Sequence, residues 1–348
     1  MEIKRDVYLD RLIVRKHNGL IKVITGIRRS GKSYLLNTLF YRHLIAENIS
    51  EDHIIKFAFD SAEDLLKIGG DPIVLDNEKE DRKVDPSKFI NWLMPQIKGG
   101  DMYYLLLDEV QKLGAFESVL NGFLRRENLD VYVTGSNSKF LSKDILTEFR
   151  GRGDEVHVLP LSFSEYYAFK QGDKSEAYDD YSVYGGLPAV ALMVTEEQKT
   201  NYLISQMQNL YLRDIVNRYA VQDETALGEV IDVIAFGIST LTNPRKIANT
   251  MNTIHGTKTC DATVDRYIGY AEEAFILTRV KRYNVKGRKY IGTPYKIYFE
   301  DVGLRNVRLS FRQIEVAIAA VEAVFDWRAY EAENFHTSND IPGRERTA

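Results

Sequence analysis

Residues Gly26-Ile27-Arg28-Arg29-Ser30-Gly31-Lys32-Ser33 stand between a β-branched run over 20–25 and a leucine pair at 35 and 36. The order G-x-x-x-x-G-K-S in that setting demands a strand that ends in a phosphate-binding loop and resumes as a helix. The glycines let the backbone curl so that its N–H groups converge on phosphate oxygens at the positive end of the helix. Lys32 can reach the β and γ phosphates, and the Ser33 hydroxyl can sit on Mg2+. Gly26, Ser30, Gly31, Lys32 and Ser33 are therefore candidate nucleotide-binding residues. Arg28 and Arg29 are candidates as well, with solvated loop charge as the alternative reading.

A loop of this kind predicts a partner, an apolar strand ending in an acid that holds Mg2+ through water, and "YYLLLDE" at 103–109 supplies it. Asp108 takes that role. Glu109 can polarise the water that attacks the γ phosphate, which points to ATP hydrolysis. "VTGSNS" puts Thr134, Ser136 and Asn137 at the end of another β-run, where a polar group can sense the γ phosphate; helix capping by Ser136 or Asn137 is compatible with that. In "EFRGRGDEV", Arg150 and Arg152 precede the next strand, either as a finger acting in cis or from a neighbouring subunit, or as surface charge. G-x-S-x-G is absent, and no Ser-His-Asp or Cys-His arrangement supports nucleophilic catalysis.

β-rich runs at 20–25, 54–60, 103–109, 131–136 and 155–160 alternate with amphipathic stretches, so residues 1–161 read as an α/β core with a parallel sheet covered on both faces. The charged stretch 70–88 looks like a surface excursion from it. Residues 162–238, rich in Tyr, Gln and Leu at helical spacing, read as a helical lid. Over 239–312, "NPRKIANTMN" and "DATVDRYIGYAEEAFIL" precede two β-like runs on either side of Lys286-Gly287, the order of a winged helix-turn-helix. The chain of 348 residues has a net charge of only −4, so any attraction to nucleic acid must be local. Between Thr240 and Phe299 eleven Lys/Arg face four Asp/Glu, and Arg282, Lys286, Arg288 and Lys289 make the hairpin a candidate surface for duplex DNA. Against DNA, the second helix carries Asp265, Glu272 and Glu273, with Arg266 as its one strong base-reading side chain. The single cysteine, Cys260, excludes a disulfide framework, no run is long and apolar enough to span a bilayer, and the N-terminus lacks signal-peptide character. A cytoplasmic protein with no membrane attachment is expected.

"GLIKVITGIRRSGKSYLL", "YLLLDEVQ", "VYVTGSNS", "LPLSFSEYY", "YGGLPAV", "YLRDIVNRY" and "YFEDVGLRN" together resemble the prokaryotic, STAND-like AAA-type ATPases that pair an ATP-binding core with a poorly characterised C-terminal domain. The resemblance covers roughly residues 3 to 312. It implies an additional-strand P-loop core, a helical lid, a winged helix and ATP binding. It also matches Gly151-Arg152 to the family's "GR", making Arg152 the better finger candidate. By similarity to the Gly-x-Pro of signalling ATPases, Pro188 of "GGLP" touches the adenine or sugar; a structural turn is the alternative. The resemblance breaks near Gln313, where relatives continue into a nuclease-like domain. Here residues 313–348 read as an apolar helix over 314–327 and a disordered tail, as a truncated or frame-shifted gene would also produce.

Three functions fit these residues. ATP hydrolysis can be coupled to a DNA-binding winged helix, ATP or ADP can switch the lid to engage a protein partner, or the chain can bind ATP with little turnover.

Overall fold

The computed structural model describes residues 2–70, 83–135, 152–256, 258–281 and 294–310. Helix α1 (Asp6–Val14) leads into strand β1 (Ile21–Thr25). Helix α2 runs unbroken over 32–46, with a π segment, Leu35–Phe40, between Lys32–Tyr34 and Tyr41–Ala46. Then come β2 (Ile54–Ala58), α3 (Ala62–Lys67), α4 (Pro86–Leu93), β3 (Tyr103–Asp108), α5 (Phe116–Phe123), β4 (Leu129–Thr134) and β5 (Gly153–His157).

The five strands form one parallel sheet in the order β2-β3-β4-β1-β5. β4 thus lies between the strand that ends in the glycine loop and the strand that ends in Asp108, which is the additional-strand arrangement. Both faces of the central strands are covered, so β3 reads as a continuous apolar run, while β1 and β4 each carry one charged residue, Lys22 and Asp130, which pair with each other inside the core. Leu105 and Leu107 of β3 pack with Phe57, Phe89 and Leu120 on one face. Tyr104 and Leu106 pack with Leu36, Phe40 and Leu44 of α2 and Leu12 of α1 on the other.

The surface excursion expected over 70–88 stops short at Val84. That side chain is buried, its N–H donates to the Lys112 carbonyl, and it bridges to Leu113. α4 starts two residues later, with Asp85 as N-cap accepting from Ser87 N and Pro86 in the first turn. Charge density at 77–83 hides an Asp-Pro helix start; residues 71–82 lie outside the described ones.

Beyond β5 the chain is helical, as its residue spacing predicts: α6 (Phe163–Lys170), α7 (Lys174–Tyr184), α8 (Pro188–Leu192), the long α9 over 196–219, and α10 (Glu224–Phe236). In α9 a π segment, Gln206–Leu212, joins Glu196–Ser205 to Arg213–Tyr219. Leu203, Met207, Tyr211 and Ile215, four residues apart, are all buried in one core. In a pure α-helix each four-residue step overshoots a turn by about 40°. The wider π turn takes that drift back and keeps the four side chains on one side.

Two further helices, α11 (Pro244–His255) and α12 (Asp261–Glu273), precede an antiparallel pair, β6 (Leu277–Lys281) and β7 (Tyr295–Phe299), and α13 (Val302–Arg308) follows. One hydrophobic cluster runs from Leu187 through Val230, Met251 and Ile268 to Leu309, so the core continues across residue 238. "YGGLP" and "YFEDVGLRN" meet inside this region. Asp301 caps α13 at Leu304 N and also accepts the Gly186 N–H at 2.8 Å. A Cβ on Gly186 would lie 2.2 Å from the Leu161 carbonyl oxygen, so only glycine allows this approach. Among the described residues no helix is long and apolar enough to cross a membrane.

Candidate nucleotide-binding site

The C-terminal edges of β1, β3 and β4 bring the loop, Asp108 and Thr134 together, where ligands bind in open parallel sheets. β1 ends at Thr25, and the chain turns at Gly26 with φ 132°, in the region that favours glycine. A Cβ there would fall 2.1 Å from the Val158 carbonyl oxygen, so the turn closes tightly over the strand β5 leaves behind. The Lys32 ammonium, buried at the start of α2, donates to the loop's own carbonyls at Gly26 (2.9 Å) and Ile27 (3.0 Å). Burial lowers its pKa to about 8, although Glu109 and Asp108 pull the other way. Ser30 is fully buried, and its Oγ has no hydrogen-bond partner among the described residues. The Ser30 carbonyl is held from behind by Arg5 Nη1 at 3.2 Å, while Arg5 Nε sits 3.2 Å from Glu165.

Asp108 is the hub of the acidic side. One carboxylate oxygen accepts from Ser33 Oγ at 3.1 Å and from the Thr134 hydroxyl, and the other accepts from Asn37 Nδ2 at 3.1 Å. Burial pushes its pKa upward against the pull of the Thr134 and Ser33 hydroxyls, and Glu109 and Asp60 add to the rise. Glu109 follows with φ 51°, in the left-handed region, its N–H bonded to Thr134 Oγ1 at 3.0 Å and its carboxylate to the Gln111 amide. The Glu109 carboxylate is close enough to Lys32, Asp60 and Asp108 to shift the pKa of each. Asp60, two residues beyond β2, is also pushed upward by desolvation and by Glu109.

The structure brings together Gly26, Ser30, Gly31, Lys32, Ser33, Asp108 and Glu109. Pro188, the first residue of α8, joins them: its Cγ would lie 3.7 Å from a Cβ on Gly31. Arg28 lies against the helical half, 3.8 Å from Asp214, and Arg29 is exposed with φ 67°. Arg152 is elsewhere. Its carbonyl accepts from Ile21 N, level with the beginning of β1, while the loop follows the end of β1. Four residues of strand, about 13 Å, separate the two levels. The sheet's parallel register therefore puts the Arg152 backbone at the edge opposite this chain's own loop. Asn137, Ser136, Arg150 and Gly151 lie outside the described residues, as do Arg282, Lys286, Arg288, Lys289 and the whole segment 313–348.

Asn37 and Arg5 escape a reading of the sequence. Asn37 stands four residues after Ser33, one turn along the same helix face, which is the signal that could have found it. Arg5 has no such signal, because the groups it holds at the loop and beyond β5 are 25 and more than 150 residues away.

The comparisons agree with this geometry. Residues 18–167 match a family described as an AAA domain, and residues 175–315 match a domain of unknown function. An uncharacterized protein of Haemophilus influenzae is 34% identical over 310 residues, covering 87% of this chain and 72% of the relative. An uncharacterized protein of Methanocaldococcus jannaschii is 26% identical over 328 residues, 89% of this chain and 65% of that one, so this chain spans under two thirds of its length. Among solved structures, a Walker-type ATPase of Pyrococcus abyssi shares the fold with a TM-score of 0.59 at 16% identity, over 88% of this chain and 96% of the other. With this loop, this sheet order and these relatives, the chain belongs to the AAA-type P-loop ATPases that carry a C-terminal domain of unknown function.

Proposed function

We propose that the chain binds ATP with Mg2+ and hydrolyses it, and that the nucleotide state controls the C-terminal half. The observation that carries this reading is the Ser33-Asp108-Thr134-Glu109 constellation beside Lys32. The oxygen-only donor set of Ser33 and Asp108 fits Mg2+, which binds through one or two protein oxygens plus substrate phosphates. Mg2+, when bound there, supplies charge neutralisation at the phosphate oxygens. Lys32 exchanges its loop carbonyls for phosphate oxygens, the buried Ser30 hydroxyl is available to the same anion, and Pro188 borders the nucleotide. Glu109 orients and deprotonates the attacking water, and Thr134 keeps both acids in register. Asn137 senses the γ phosphate from beyond β4. Loss of ATP binding in Lys32→Ala tests the site, and retention of full affinity would count against it.

For the C-terminal half we propose a winged helix that binds duplex DNA. Its second helix, α12, keeps a net acidic charge, but part of that charge is paired in the fold. Arg279 pairs with Asp265 at 2.6 Å and Glu272 at 2.5 Å, and Glu273 accepts from Tyr219. α11 has no acid at all, and Arg245, Lys246 and Asn249 are exposed on it. Arg282, Lys286, Arg288 and Lys289, which follow β6 in the sequence, are the further basic residues this reading assigns to DNA. Binding of duplex DNA that weakens steeply with salt and with Arg245→Ala or Arg288→Ala is the expected result; salt-insensitive binding or none would favour a protein partner. The switch reading has support of its own, since Ile27 of the phosphate loop is packed into the C-terminal core. Localisation is proposed to be cytoplasmic, where the exposed Cys260 thiol stays reduced.

A further inference from the structure

Two residues of the phosphate loop are held by the helical half of the molecule. Ile27 is buried with Leu187, Val190, Met207 and Tyr211. The Tyr211 hydroxyl, carried on the π segment of α9, donates to the Arg28 carbonyl at 2.9 Å. Three residues on, Asp214 lies 3.8 Å from the Arg28 guanidinium and 2.6 Å from Arg218. At the end of the same helix, Tyr219 stacks on Tyr270 of α12, with centroids 3.8 Å apart and planes 4° from parallel, and donates to Glu273.

We infer that α9 is a relay in which Tyr211 and Asp214 position the phosphate loop at residue 28 and Tyr219 carries its movements to α12. The peptide between Arg28 and Arg29 explains why this contact matters. A trans peptide is planar, so its carbonyl and the following N–H point in opposite directions. Holding the Arg28 carbonyl toward Tyr211 therefore fixes the direction of the Arg29 N–H, one of the donors the loop offers to phosphate. Arg29 sits at φ 67°, a conformation that an arginine keeps only where its surroundings impose it. The buried hydroxyl of Tyr211 imposes it from one side and the Ile27 side chain, locked in the core, from the other. The π segment has a second consequence here. Without its register shift, Tyr211 could not share the buried face with Leu203 while Asp214 stays within reach of Arg28.

The inference rests on the nucleotide reading of the loop and deepens it by naming the path from the site to the C-terminal half. The test combines nucleotide affinity with hydrogen exchange on the full chain, using a fluorescent ADP and a non-hydrolysable ATP analogue. Tyr211→Phe removes one oxygen, and about fivefold weaker binding is expected from the loss of one hydrogen bond. Nucleotide-dependent slowing of exchange over 262–273 is expected to vanish in Tyr211→Phe, while exchange there without nucleotide stays as in wild type, which a purely structural role would not produce. Asp214→Asn, on a half-buried position, is expected to act in the same direction. Tyr219→Phe is expected to keep the affinity and lose the remote protection. If wild type binds nucleotide and both α9 site variants match it in affinity and in protection, the relay is wrong while the site stands. If wild type binds neither nucleotide, the site reading fails and the relay fails with it.

Discussion

At the level of single residues, burial decides how the charged groups of the site behave. Lys32 carries its charge below about pH 8 and sheds it above, because desolvation outweighs the nearby acids. Phosphate favours the charged form, so its binding raises that pKa again. Nucleotide affinity should then be flat below pH 8 and fall by up to tenfold per pH unit above it. In Lys32→Ala the remaining affinity should show no such fall when titrations at pH 7, 8 and 9 are compared. Asp108 is strained in the opposite sense, a buried carboxyl pushed upward with a second acid beside it. A group whose folded pKa is raised costs stability once pH exceeds its ordinary range. Asp108→Asn should therefore stabilise the ligand-free protein by about 1 kcal/mol in thermal unfolding at pH 7 while removing the dependence of ATP binding on Mg2+. Destabilisation would mean that the hydrogen bonds from Ser33, Asn37 and Thr134 outweigh the burial.

Among elements, what the sequence discloses depends on how local the cause is. β3 is legible as an unbroken apolar run because both faces of the sheet are buried, and β1 and β4 as runs interrupted once, by Lys22 and Asp130, whose buried pairing only the fold discloses. The glycine loop is legible because its geometry is spelled in consecutive residues. α4 was half hidden by charges around its Asp-Pro start, and the π turn in α9 has no mark beyond four apolar residues at a spacing slightly too long for one helix face. The pairing of "YGGLP" with "YFEDVGLRN" is invisible in one dimension, since Gly186 and Asp301 are 115 residues apart. Asp301→Ala removes the α13 cap and leaves the buried Gly186 N–H without its acceptor. A loss of about 2–3 kcal/mol in urea unfolding is expected, the sum of a lost cap and an unpaired buried donor. A loss below about 0.5 kcal/mol would mean that neighbouring groups take over both roles.

For the whole molecule, the decisive fact is that the C-terminal core reaches into the phosphate loop through Ile27, Tyr211 and Pro188. The helices within 162–238, and the helices and antiparallel strands within 239–312, were legible as elements but not as one packed body, because their contacts join distant stretches. The same geometry limits Arg152, which the sheet carries to the edge opposite its own loop. If Arg152 completes a site, it completes that of a neighbouring chain. Specific activity should then rise with protein concentration, and an inactive Arg152→Ala protein should regain turnover when mixed with inactive Lys32→Ala. Activity independent of concentration, with Arg152→Ala as active as wild type, would leave Arg152 as surface charge. The central claim, that this constellation hydrolyses ATP, is tested most directly by steady-state ATP turnover in wild type and Glu109→Gln with nucleotide affinity measured alongside. Turnover in wild type that drops at least a hundredfold in the variant, with affinity kept, is the predicted result; equal turnover in both, or ATP bound by both and hydrolysed by neither, would contradict it.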